Sequence, residues 1–86
     1  MKEIYADKYL QLGLKIAYYR KLRGLTQEAL AEQIGVSAAF IGHVEAPNIK
    51  KAISMDTLFS IAQALDIPPS DIVRQIEQQI AEHPEP

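Results

Sequence analysis

From Tyr5 onward the apolar residues fall at Tyr5, Tyr9, Leu12, Ile16 and Tyr19, at spacings of four and three that place them on one helical face. The pattern predicts a long first helix. It should stop near Gly24, which can take the left-handed conformation at a helix C-terminus, with Arg20, Lys21 and Arg23 suited to the last turn. Thr26 is a cap residue for a second helix, with Glu28 in its first turn and Leu30, Ala31 and Ile34 facing inward. Gly35 breaks that helix and Ser37 caps a short third one, Ala38 to about Glu45, whose inward residues are Ile41 and Val44. Pro47 closes it and opens a basic loop through Asn48, Lys50 and Lys51. Ser54 begins a fourth helix, with Leu58, Ile61, Ala62 and Leu65 on its buried face and an end near Asp66. Pro68 and Pro69 suit the first turn of a fifth, with Ile72, Val73, Ile76 and Ile80 as its apolar stripe, and His83 to Pro86 should fray. No alternating pattern of a strand and no repeat is present, so the expected fold is all-α, five helices around one core in a single domain of residues 1–86.

Composition narrows the chemistry. The chain has 86 residues and no cysteine, so neither disulfides nor thiolate metal sites hold it together. No apolar run is long enough to span a bilayer and the N-terminus lacks a signal-peptide core, which places the protein in the cytoplasm. His43 and His83 are far apart and neither has an acidic or histidine neighbour at ligand spacing, so no metal is expected. No cofactor is expected, and with no thiol nucleophile and no phosphate-cradling glycine loop the chain does not read as an enzyme. Net charge is −2, yet residues 1–53 carry eight Lys/Arg against five Asp/Glu (+3), while residues 54–86 carry one against six (−5). Only the first part is suited to face an anion.

The informative segment is TQEALAEQIGVSAAFIGHVE, residues 26 to 45. Two helices joined by a tight turn need a small residue where they cross, a glycine in the turn and apolar anchors on the second helix, and Ala31, Gly35, Ile41 and Val44 supply these. From about Leu12 to Val73 the chain resembles the Cro/lambda-repressor family of XRE-like helix-turn-helix regulators, including Arg20 late in the first helix, Thr26 and Gln27 opening the second, and Glu45 ending the third. The resemblance implies a five-helix lambda-repressor-like domain that binds double-stranded DNA, with the extension at 69–82 as its last helix. It implies that Arg20 and Glu45 form an ion pair bracing the first helix against the recognition helix, that Gln27 and Ser37 contact phosphates through side chain and helix-start amides, and that Lys50 and Lys51 touch the DNA backbone. It further implies a repressor that binds a palindromic operator as a homodimer.

The outward face of the recognition helix departs from the family pattern. It reads Ala38, Ala39, Gly42 and His43, and only His43 can hydrogen-bond to a base through its side chain. Direct readout should therefore be meagre, and Gly42 costs so short a helix about 1 kcal/mol relative to alanine unless some close approach requires it. A competing reading follows, in which the scaffold serves as a protein-interaction module for a partner such as a toxin or another regulator. Leu10, Leu14 and Tyr18 recur every four residues on a face that the basic fold leaves wet, to be covered by the last helix or by a second subunit.

Overall fold

The computed structural model describes residues 2–82, the side chains of Gln75 and 77–82 excepted. A single 3-10 turn, Glu3–Tyr5, leads into α1 (Ala6–Leu22), α2 (Gln27–Ile34), α3 (Ala38–Glu45), α4 (Met55–Leu65) and α5 (Pro69–Glu82), and no strand occurs among the described residues. Each of α2, α3 and α4 starts in the same way: the hydroxyls of Thr26, Ser37 and Ser54 accept from the backbone N–H groups of Ala29, Phe40 and Thr57 at 3.0, 3.0 and 3.1 Å. Each cap satisfies an amide that the helix start leaves unpaired and contributes about 1 kcal/mol.

Three of the helix ends also share one device. After α1, α2 and α4 the chain takes the left-handed conformation at Gly24, Gly35 and Asp66, with φ of 74°, 76° and 56°. The next residue then donates its N–H back over the turn, Leu25 to Arg20, Val36 to Ala31 and Ile67 to Ala62, at 3.1, 3.0 and 3.0 Å. In each case that residue packs against the core, so the turn both satisfies stray carbonyls and folds an apolar side chain inward.

The core is built from Ile16 of α1, Leu30 and Ala31 of α2, Ile41 and Val44 of α3, Leu58, Ile61, Ala62 and Leu65 of α4, and Ile72 of α5. One expectation, at the N-terminus, changes. The first helix begins at Ala6, not Tyr5, and Tyr5 is exposed at the end of the 3-10 turn, while Ala6 and Gly13 take the buried positions on that side. The expected place of Ile80 in the last apolar stripe and the fraying of His83 to Pro86 lie outside the described residues. Among the described residues no helix is long and apolar enough to cross a membrane, and no group of three potential metal ligands occurs.

Candidate nucleic-acid interface

Helices α2 and α3 meet across the Gly35 turn, and α3 lies against α1 at a close crossing. The crossing depends on Gly13: a Cβ there would collide with the Val44 carbonyl oxygen, and would lie 3.0 Å from the Val44 carbonyl carbon and 3.4 Å from Glu45 Cα. Backbone meets backbone at this point, which brings the end of α3 within reach of α1 side chains.

Arg20 uses that reach. Its Nε and Nη2 donate to Glu45 Oε2 and Oε1 at 2.7 and 2.9 Å, and its Nη1 donates to the Leu25 carbonyl at 2.6 Å. Both residues are 7% exposed. The guanidinium is thus spent on a two-pronged carboxylate contact and on the loop that precedes α2. Hydrogen bonding to Glu45 pushes the Arg20 pKa up, against burial, which lowers it. Gln27 completes the cluster by donating from Nε2 to Glu45 Oε1 at 3.0 Å. One carboxylate therefore fixes α1, the start of α2 and the end of α3 relative to one another.

Around this brace, Ser37 sits exposed at the start of α3 with its oxygen already accepting from Phe40, so its hydroxyl hydrogen is available to an anion. Ala39 and His43 are exposed on α3, while Ala38 is half-buried and packs against the core. Gly42 has no neighbouring backbone close to it. The nearest atom outside its own helix is Gln27 Oε1, 3.5 Å from where a Cβ would stand, so packing within the chain does not require a glycine here.

The two loop lysines have separate surroundings. Lys51 Nζ lies 5.5 Å from the centre of the Phe40 ring, beside α3. Lys50 reaches the other way and pairs with Glu3 at 2.9 Å on the exposed surface, a contact that lowers the Glu3 pKa and raises that of Lys50. Arg23, read from sequence as a favourable charge for the end of its own helix, instead serves α4, donating from Nε to the Leu65 carbonyl at 2.7 Å and from Nη2 to the Asp66 carbonyl at 3.0 Å. A basic residue near the end of one helix is compatible with any carbonyl-rich helix end nearby, and only the tertiary fold selects which.

Comparison with known proteins agrees with this architecture. The HTH_3 family model, described as helix-turn-helix, matches residues 16–72. An uncharacterized HTH-type transcriptional regulator of Bacillus subtilis, YazB, is 42% identical over 36 residues, which is 42% of this chain and 52% of that one; the match thus spans about half of that relative. Among solved structures, the restriction-modification controller protein C.AhdI of Aeromonas hydrophila superposes with a TM-score of 0.70 at 32% identity, over 79% of this chain and 98% of that one. The clp gene regulator ClgR of Corynebacterium glutamicum gives 0.77 at 25% identity, over 87% and 78%. An HTH_3 family transcriptional regulator of Vibrio cholerae gives 0.74 at 26%, over 93% and 44%.

Proposed function

The chain belongs to the HTH_3 family of XRE-type helix-turn-helix, DNA-binding transcription regulators, and from that premise we propose that it is a dimeric repressor that holds a palindromic operator chiefly by its phosphates. The observation that carries this reading is the pairing of a braced frame with a bare outer face. Gln27 at the start of α2 and the end of α3 are held by the Arg20–Glu45 cluster, while Ala39, Gly42 and His43 offer one hydrogen-bonding side chain among them. Gln27 keeps a second amide hydrogen for a phosphate, Ser37 has its hydroxyl hydrogen, and the first amides of α3 point out of the helix start. Lys50 and Lys51 add charge from the loop, Lys50 by exchanging Glu3 for a phosphate. Sequence preference then comes from His43, from a methyl contact by Ala39, and from DNA shape. The exposed stripe of Leu14 and Tyr18, continued by half-buried Leu10, supports the dimer, which sets two recognition helices about one turn of DNA apart.

The test is a fluorescence titration on selected and scrambled duplexes over a range of salt. Each phosphate neutralised by a lysine adds about −0.9 to the slope of log affinity against log salt, so Lys50→Ala with Lys51→Ala should make the slope shallower by about two units. His43→Ala should instead narrow the gap between selected and scrambled DNA and leave the slope nearly unchanged. An intact slope in the lysine variant removes the loop from the interface. Absence of binding to any duplex at low salt rejects the DNA reading in favour of a protein partner, the alternative suggested by the bare α3 face.

A further inference from the structure

We infer that the outer row of α1 is a self-complementary surface on which a second copy of this chain docks, the two α1 helices running antiparallel about an axis at Leu14. The inference rests on the dimeric reading above and names the face and register. Leu14 is 51% exposed and Tyr18 58%, opposite the side on which Ile16 and Arg20 are buried. In an antiparallel pair centred on residue 14, position i of one helix faces position 28 − i of the other. Leu10 then meets Tyr18 of the second copy, Leu14 meets its own counterpart, and Asp7 meets Lys21. The charges complete the match: Asp7 and Lys21 are both exposed, lie at opposite ends of the same row, and neither belongs to an ion pair among the described residues. Each two-fold copy of the contact brings together an acid and a base and no like charges, as an isologous interface requires. A parallel pairing would instead set Asp7 against Asp7 and Lys21 against Lys21.

Because the chain has no cysteine, single thiols report the register without interference. Cα atoms joined by a disulfide lie within about 7 Å. Only Leu14→Cys places a thiol on the axis, whereas the copies of residue 10, like those of residue 18, are displaced from each other by eight residues, about 12 Å along the helices. Under mild oxidation Leu14→Cys should give a covalent dimer. Leu10→Cys and Tyr18→Cys should each stay monomeric alone and couple when mixed. In sedimentation of the cysteine-free chain, Asp7→Lys and Lys21→Asp should each weaken the dimer about two- to tenfold, and the double reversal should restore it. Equal coupling by all three cysteine variants, a double reversal no better than the singles, or a strict monomer at high micromolar concentration overturns the proposal. DNA titrations of the same variants keep the two readings apart, since a failed α1 pairing with intact operator binding removes this interface and not the DNA-binding function.

Discussion

Substituting alanine at Gly13 and at Gly42 should change stability in opposite directions, although both glycines lie inside helices. On helix propensity alone each change should stabilise the fold by up to about 1 kcal/mol. At Gly42 nothing opposes that gain, because the new methyl would stand 3.5 Å from Gln27 Oε1, an ordinary contact with the end of a flexible side chain. At Gly13 the methyl would strike the Val44 carbonyl oxygen, with the Val44 carbon at 3.0 Å and Glu45 Cα at 3.4 Å behind it. These are backbone atoms of a packed helix and cannot rotate away, so α1 and α3 must separate. Overpacking of this kind costs about 1–3 kcal/mol, and the separation also stretches the Arg20–Glu45 contact across the same crossing. The propensity gain offsets only part of that, leaving Gly13→Ala destabilised by about 1–2 kcal/mol. In thermal unfolding, 1 kcal/mol is about 4–8 °C for a domain of this size, so the two variants should melt on opposite sides of wild type. A Gly13→Ala protein as stable as wild type would refute the close crossing on which the brace depends.

Further outcomes follow from the same contacts. Arg20→Ala and Glu45→Ala should each cost about 3–5 kcal/mol, since each leaves a buried charge without its partner, and in a double-mutant cycle of unfolding free energies the losses should be non-additive by more than the ~0.5 kcal/mol expected for independent sites. Arg23→Ala should cost about 1–2 kcal/mol by freeing the Leu65 and Asp66 carbonyls, with hydrogen exchange rising at the end of α4 before the rest of the fold. Since Lys50 lowers the Glu3 pKa from 4.5, the contact holds above the ordinary carboxylate range and is lost as pH falls through the lowered value; an NMR titration should find Glu3 back near its ordinary pKa in Lys50→Met. Glu3→Gln, which releases Lys50, should tighten operator binding and steepen its salt dependence in the fluorescence assay.

The helices were legible because their signals are local. Thr26, Ser37 and Ser54 cap the helices that their positions announce, and Gly24 and Gly35 adopt the left-handed turns expected of them. Asp66 shows the limit of that logic: the pattern ends α4 near it, but aspartate only tolerates the left-handed region that glycine favours, so its positive φ is less clearly announced than those of Gly24 and Gly35. The sequence pattern starts the first helix at Tyr5, one residue before α1. Tyr5 fits the helical period as well as Tyr9 does and lines the same apolar groove, but it closes a 3-10 turn and is 41% exposed.

The site was less legible, because its decisive contacts join segments far apart in the chain through side chains long enough to choose among several partners. Gln27 has the right spacing for a phosphate contact, yet sequence gives no hint that its amide is already bonded to Glu45. That bond alters the meaning of the residue. A side chain free to rotate must lose its rotamer entropy on reaching DNA, whereas in the proposed complex Gln27, held by a carboxylate that Arg20 has already oriented, would meet a phosphate with that ordering made on folding. On the proposed reading, the same cluster would let a helix with an almost featureless outer face serve a DNA-binding domain. If bases supply few hydrogen bonds, as proposed, affinity would depend on several phosphate donors arriving together in one geometry, and the frame of α1, α2 and α3 fixed at Glu45 would present Gln27 and Ser37 in one such geometry.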